Sequence, residues 1–461
     1  MEILVDNAII VRDPSPDMQK WARTELVLSN PDYIKKLRMG KWIGSTPSEI
    51  WLFESLSDGS MVLPFGCLQE LWKRYRMQAV WKPRKWPQER REYGSRITLY
   101  PYQEKAASEA LRARNGILVM PCGSGKTQTG LEIISRIGGR ALWLTHTQDL
   151  LNQSLERAKS VLDIGGKWGK ITGGRVNIGT HITFATVQTL CKVDLEKYKD
   201  QWDIIICDEC QHCCGSPTRV TQFYKVMSRL SARYKFGLTA TPHRNDGLDR
   251  SMTALLGDII CEVSKAEVAG TTCPVAIRQM PTGWIPDYDA VLMADGTINY
   301  AALVNSMTQD AERFEVVRKQ IEECIQAGPT MVLASRVEYL QRLADALGEG
   351  ALCLSGAGNG KAAKQMRENA LTDLDQGRLK CILATYALAK EGLDVPHLKY
   401  LILATPEKDE TTVIQSVGRV GRKAEGKDQG TVFDMVDSFG MYKGWAKKRA
   451  ALYRKHDYEI I

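Results

Sequence analysis

The chain has 461 residues, 44% of them hydrophobic and 25% charged, with a formal net charge of +8. This is an ordinary globular composition with room for about three domains, and the mild basic excess is compatible with a nucleic-acid partner. No apolar run approaches the ~20 residues of a membrane span, and the start Met1-Glu2-Ile3-Leu4-Val5-Asp6 lacks the basic and apolar segments of a signal peptide, so the twelve cysteines are expected to be reduced cytoplasmic thiols, not a disulfide framework.

Residues 1–95 show no clear βαβ rhythm and are rich in Trp and Pro. They end in a basic, aromatic stretch, 73–96. There Lys73, Arg74, Arg76, Lys82, Arg84, Lys85, Arg90, Arg91 and Arg96 face only Glu89 and Glu92, with Trp72, Tyr75, Trp81, Trp86 and Tyr93 interleaved or adjoining. Such a stretch can grip phosphates and stack bases, or pack as a linker on the next domain. From 96 to 265 apolar strands alternate with amphipathic helices. Strands are expected at 117–120, 141–145, 182–186, 202–207 and 235–239, and helices at 103–112 and 150–161. The rhythm weakens over 266–308. It resumes with strands at 331–334, 352–354, 381–385, 400–404 and 431–436, and helices at 337–347 and 361–375. The alternation predicts parallel sheets covered by helices in two tandem α/β lobes, 96–265 and 309–461, joined by 266–308. A final basic run (Lys443, Lys447, Lys448, Arg449, Arg454, Lys455) reads as a solvated helix face.

Gly123-Ser124-Gly125-Lys126-Thr127 follows an apolar strand and opens a helix. Glycines let backbone N–H groups approach phosphates, and the helix N-terminus adds its positive dipole end. Lys126 would reach the β- and γ-phosphates of ATP, and the Thr127 hydroxyl would ligate Mg2+. Asp208 ends a second apolar strand and can hold the same metal. Glu209 is placed to activate the attacking water. A similar run, Gly356-Ala357-Gly358-Asn359-Gly360-Lys361, has Ala362 in place of the hydroxyl and is expected to be a loop and helix cap.

With Asp208-Glu209-Cys210-Gln211-His212 set beside Leu238-Thr239-Ala240-Thr241-Pro242, the chain resembles the superfamily 2 helicases. It is similar to the DEAD/DEAH-like branch containing the XPB and phage UvsW enzymes, over residues 100–437. The resemblance implies two RecA-like lobes behind a small α+β accessory domain. It also implies an adenine-reading glutamine, here Gln103, and a phosphate loop in which Met120 replaces the usual small residue. His146-Thr147, with Leu150 and Gln153, resembles a Pro-Thr motif that touches the nucleic-acid backbone, leaving Thr147 as the phosphate contact. Ala185-Thr186-Val187-Gln188 resembles a second gripping motif, through Thr186 and Gln188. The acidic box has Gln211 fourth and His212 fifth, so the coupling role of its fourth position falls to one or the other, and Thr239-Ala240-Thr241 matches the motif that couples hydrolysis to lobe movement. Thr385 with Gly392-Leu393-Asp394 matches the motif joining strand grip to nucleotide. Gln415, Gly418, Arg419 and Arg422 match the motif whose arginines face the γ-phosphate when the lobes close.

Asn30-Pro31-Asp32-Tyr33, Arg38-Met39-Gly40-Lys41-Trp42 and Leu63-Pro64-Phe65-Gly66 resemble the accessory domain of phage and plasmid members, which implies recognition of branched or distorted duplex. Cys207, Cys210, Cys213, Cys214 and His212 have metal-like spacing, but Cys210 falls inside the nucleotide site, so packing is the preferred reading. The expected function is an ATP- and Mg2+-dependent DNA helicase or translocase, acting as a monomer or weak oligomer on single-stranded, duplex or branched DNA in repair or recombination. The alternatives are an RNA helicase, a duplex translocase that separates no strands, and a non-catalytic nucleic-acid-binding scaffold.

Overall fold

The structure, a computed structural model, describes the chain except residues 87–88, 243–245, 269, 294–295, 355–360, 391–392 and 394. Two compact units are distinguished: Met1–Pro121 with Gly125–Glu267, and Cys122–Ser124 with Val268–Ile461.

The first unit begins with a five-stranded sheet. Its order is Glu54–Ser55, Met61–Pro64, Ala8–Arg12, Glu2–Val5, Val80–Pro83, antiparallel except for the last pair. Period-two alternation puts Ile9 and Val11 inward, against Met18, Trp21 and Ala22 of helix Pro16–Glu25 and Leu71 and Tyr75 of helix Leu68–Tyr75. Ser15 caps the first of these helices, its hydroxyl accepting from Met18 N at 3.2 Å. Asn30 caps helix Pro31–Arg38 by accepting from Asp32 N at 3.0 Å, with proline at the first helical turn of both. This accounts for Asn30-Pro31-Asp32 as a structural signature.

The accessory core runs into the following lobe, sharing Leu248 and Ala254 with it. A Cβ on Gly66 would stand 2.6 Å from Gly257 N, so only glycine fits where the accessory segment meets helix Asp249–Leu256. Arg250 pairs with Glu70 at 2.6 Å, and Tyr93 OH donates to the Gly139 or His181 carbonyl at 2.8 or 3.1 Å. The fully buried Lys235 ammonium donates to Asn7 Oδ1 and, at 3.2 Å, to Met227 O. Burial lowers its pKa to about 8.

The lobe itself is an eight-stranded sheet. Its order is Arg175–Asn177, Gly169–Thr172, Ile182–Thr186, Ala141–Thr145, Ile204–Asp208, Tyr234–Thr239, Asn115–Val119, Ile259–Glu262. Only Arg175–Asn177 runs antiparallel. Four central strands are buried along their whole length, as expected when helices cover both faces of a parallel sheet.

The second unit holds a seven-stranded, all-parallel sheet. Its order is Ala351–Leu354, Cys381–Thr385, Thr330–Ala334, Tyr400–Leu403, Gly430–Val436, Val275–Pro281, Glu459–Ile460. Strand Val275–Pro281 falls in 266–308, where the sequence rhythm weakens. It is buried over its first three residues and then turns polar, which blurs its apolar signal. Helix Gly440–Lys455 carries the final basic run, but that run is not wholly solvated. Arg449 is buried, with two nitrogens on the Asp434 carboxylate, the shortest bond being 2.7 Å. Arg313, also buried, holds Asp437 at 2.6 Å and the Ala404 carbonyl at 2.8 Å. Among the described residues no helix is long and apolar enough to cross a membrane.

Candidate nucleotide site

Parallel pairing sends the C-terminal ends of five first-unit strands to one edge of the sheet, the edge where open α/β sheets place their ligands. Each of these ends leads into a predicted motif. Asn115–Val119 leads into the phosphate loop, Ala141–Thr145 into His146-Thr147, and Ile182–Thr186 into Gln188. Ile204–Asp208 leads into Glu209, and Tyr234–Thr239 into Thr241.

Gly123 and Gly125 both have φ +80°, a left-handed conformation that disfavours side chains. Gly125 is the N-cap of helix Lys126–Ile137, whose first two residues are Lys126 and Thr127. A Cβ on Gly125 would collide with the Gln103 carboxamide. Gln103 is itself 1% exposed, and its Oε1 accepts from Tyr100 N at 2.9 Å. The glutamine predicted to read adenine is therefore fixed against the phosphate loop.

Asp208 is buried at the end of its strand, and its Oδ1 accepts from Glu209 N at 3.1 Å. Burial pushes its carboxyl pKa up, the Glu209 charge pushes it further, and the Lys126 ammonium opposes both. Two carboxylates against one ammonium leave this corner short of positive charge. A buried strand-end carboxylate, Asp208, and a hydroxyl in the first turn of a helix, Thr127, are hard oxygen donors of the kind Mg2+ takes, so these residue types fit that ion.

Glu209 has φ +52°, uncommon for a non-glycine residue. It is held by a hydrogen-bonded chain. Gln211 Nε2 donates to Glu209 Oε2 at 2.8 Å, Thr239 Oγ1 donates to Gln211 Oε1 at 2.7 Å, and Thr241 N donates to Thr239 Oγ1 at 3.0 Å. Gln211 and Thr239 are both buried. Of the two candidates for the coupling position, Gln211 makes this connection. His212 turns elsewhere: its ring lies 4.2 Å from that of His146, centroid to centroid. Gln188 Nε2 donates to the His146 carbonyl. The acidic box thus touches the Thr239-Thr241 segment through Gln211 and the His146-Thr147 motif through His212, and the second predicted nucleic-acid motif reaches His146 through Gln188.

The motif points to Thr147, but its neighbour His146 makes the ring contact with His212. Burial lowers the His146 pKa to about 4, helped by His212 and opposed by Glu209. The signal was present in the sequence, because His146 and His212 both mark departures from the family pattern. Thr147 caps helix Gln148–Val161, its hydroxyl accepting from Leu150 N at 3.3 Å. The Thr186 hydroxyl donates to Thr189 Oγ1 at 3.0 Å. Cys207 Sγ lies 3.6 Å from Met227 Sδ and Cys210 Sγ 4.0 Å from Met252 Sδ, within the lobe's apolar cluster, and burial pushes the Cys210 thiol well up. These sulfurs pack.

In the second unit, Gln415 and Arg419 share a face of helix Glu410–Val420, and Arg422 follows just past its end. The Arg419 guanidinium donates to the Ala389 and Leu393 carbonyls. Thr385 Oγ1 accepts from Leu388 N at 3.2 Å. Gly392 and Asp394 lie outside the described residues, as does 356–360 of the second glycine-rich run.

Residues 96–244 match the family described as type III restriction enzyme, res subunit, and residues 312–424 match the helicase conserved C-terminal domain. A putative ATP-dependent RNA helicase of Acanthamoeba polyphaga mimivirus is 27% identical over 376 residues, covering 79% of this chain and 69% of that protein. The DNA 3'-5' translocase XPB2 of Sulfurisphaera tokodaii is 30% identical over 253 residues, 54% of this chain and 48% of that protein. The chain therefore spans about half the length of this archaeal relative. The solved structure of S. cerevisiae Dbp5 bound to RNA and ADP BeF3 superimposes with a TM-score of 0.54 at 17% identity, over 87% of this chain and 94% of that one, a likeness of fold. One matched family falls in each α/β unit, and the chain belongs to superfamily 2 of the helicases.

Proposed function

We propose that the protein is an ATP-dependent DNA helicase or translocase of the XPB/UvsW-like branch that remodels or unwinds duplex or branched DNA. The observation that carries this reading is the hydrogen-bonded chain Glu209–Gln211–Thr239–Thr241 beside the phosphate loop. A phosphate cradle alone serves any nucleotide-binding protein. One whose water-activating carboxylate is wired to a second segment of the same sheet edge can pass the state of the γ-phosphate outward.

In this mechanism the amides at the start of helix Lys126–Ile137 and the Lys126 ammonium bind the triphosphate, and Gln103 reads the adenine. Thr127 and Asp208 would hold Mg2+, which when bound offsets phosphate charge. Glu209 takes the proton of the attacking water, and water and ATP become ADP and phosphate. Gln211 loses or keeps its bond to Glu209 as that carboxylate changes charge, and Thr239 feels the change. Thr147, Thr186, Gln188 and Thr385 are the proposed nucleic-acid contacts, made mostly to the backbone and hence with little sequence preference. Gln415, Arg419, Arg422, Gly392 and Asp394 are proposed to serve the nucleotide from the second unit.

The archaeal relative named as a DNA translocase and the resemblance of the accessory domain to phage and plasmid members support DNA as substrate. The mimiviral relative, named as an RNA helicase, supports RNA as the second reading. ATP hydrolysis measured with single-stranded, duplex, forked and four-way DNA and with matched RNA decides between them. DNA is expected to stimulate turnover, and Lys126→Ala is expected to abolish it. Stimulation by RNA alone would reject the DNA assignment. Lys126→Ala turning over ATP as fast as wild type would favour a scaffold over a motor.

A further inference from the structure

A cavity of about 470 Å³ lies where the accessory domain meets the lobe, within the ~300–1,000 Å³ range of ligand pockets. Three tryptophans line it. Trp72 and Trp81 meet edge to face, centroids 4.9 Å apart, and the Arg84 guanidinium sits 4.5 Å over the Trp86 ring. Trp81 packs against the accessory core, whereas Trp72 stays 48% exposed and takes no part in that core.

The charges around these rings are unbalanced. Arg84 is committed to Asp6 at 3.0 Å and Asp200 at 2.8 Å, and Asp6 is the cavity's one lining carboxylate among the described residues. Lys73, Arg114 and Arg233 line the same space, and none of them has an ion-pair partner among the described residues. The exposed Trp72 ring beside cations without ion-pair partners, one of them (Arg233) resting over the Tyr234 ring at 5.3 Å, matches a ligand that is flat, apolar on its faces and anionic at its edge. A nucleotide is such a ligand, its base stacking on a ring while its phosphate meets the cations.

The cavity is not part of the ATP site. Arg114 immediately precedes strand Asn115–Val119 and Arg233 immediately precedes Tyr234–Thr239, so both stand at the N-terminal ends of strands whose C-terminal ends carry the motifs. A five-residue strand separates the two edges by about 17 Å. A nucleotide seated here is also remote from the edge that carries Thr147 and Thr186. A base inside a duplex is stacked on both faces and held at its edge by its partner, so a base that enters this cavity comes from an unpaired, unstacked segment.

We propose that this cavity receives an unpaired nucleotide from an arm of the nucleic-acid substrate, its base against Trp72 and its phosphate among Lys73, Arg114 and Arg233. The proposal rests on the reading of the protein as a nucleic-acid motor. It adds a contact off the edge where the nucleotide and strand-gripping motifs lie, which would favour forked over fully paired substrates.

The test uses the full chain and a forked DNA duplex with one 2-aminopurine in an unpaired arm. Wild type should quench the probe on binding, and Trp72→Leu should abolish the quenching. Trp72→Leu should also weaken fork affinity by about fivefold or more, the low end of one stacked base. Arg233→Glu should weaken fork binding and reduce its salt slope by about one. Affinity for blunt duplex should be unchanged in both, and melting temperatures matching wild type verify that the variants fold. Full quenching and unchanged fork affinity in Trp72→Leu would overturn the inference and leave the motor reading intact, since the fork is still bound. A wild-type protein that binds no nucleic acid would overturn both. Binding of a proline-rich peptide, lost in Trp72→Leu while fork binding persists, would assign the cavity to a protein partner and overturn the proposal.

Discussion

His146 and His212 each depart from the pattern of their family, and the structure places their rings 4.2 Å apart. One departure in isolation looks like drift; two that touch form a pair. His146 Nδ1 is buried with no hydrogen-bond partner among the described residues, so a proton there is poorly solvated and its pKa falls to about 4. The sign of the effect follows. Above about 6.5, the unperturbed histidine value, folded and unfolded chains both keep this ring neutral and its contribution to stability is fully present. As pH falls from there toward 4, the unfolded chain takes the proton first and stability is lost. Melting temperature measured from pH 7.5 to 4.5 should fall more steeply for wild type than for His146→Gln; parallel curves would show that the pair does not titrate in this way. Gln211 carries a separate prediction. Gln211→Ala cuts the bridge between Glu209 and Thr239 without touching the phosphate loop, so nucleotide affinity should stay within about twofold while strand separation per ATP hydrolysed drops about tenfold or more, an effect confined to the coupled step. Equal coupling ratios in variant and wild type would remove Gln211 from this role. Residue types alone left the position open between Gln211 and His212, because which of two adjacent side chains points back at Thr239 depends on the turn after Asp208, where Glu209 adopts φ +52°.

At the scale of elements, the long buried strands of both sheets were legible because apolar runs bounded by turn residues have few other uses. Strand 381–385 and helices 337–347 and 361–375 match the expected boundaries. Gly169–Thr172, Arg175–Asn177 and Ile259–Glu262 were not legible: they are short, lie at or beside the sheet edges and are partly solvated. Gly66 shows the same limit from the other side. In sequence it belonged to a family-like string; in the fold its hydrogen stands against the backbone of helix Asp249–Leu256 and the turn at Gly257. Gly66→Ala should force the accessory segment off the lobe and destabilise the first unit by about 1–3 kcal/mol, the usual cost of overpacking. Denaturant unfolding followed by tryptophan fluorescence reads this out, and an unchanged midpoint would show that the junction yields. In sequence Arg449 belongs to a basic run that is expected to be solvated. A helix turns about 100° per residue, so one member of a cationic run can face inward, and Arg449 does so because Asp434 waits there.

At the scale of the whole molecule, the order of motifs along the chain was sufficient to indicate a helicase with two α/β lobes, because each motif is a short local string, most often at a strand end, with a fixed chemical task. A phosphate loop needs glycines and a lysine next to one another, and such local requirements survive in the sequence of a single chain. What only the tertiary structure decided are the relations between distant segments. Gln103 comes to rest on Gly125, His146 meets His212, and Trp72, Arg114 and Arg233 gather around one cavity from three separate stretches of chain. The physical reason is that parallel strands sort their ends to two edges of a sheet. Sequence shows which residues end a strand, and packing of the sheet decides which ends become neighbours.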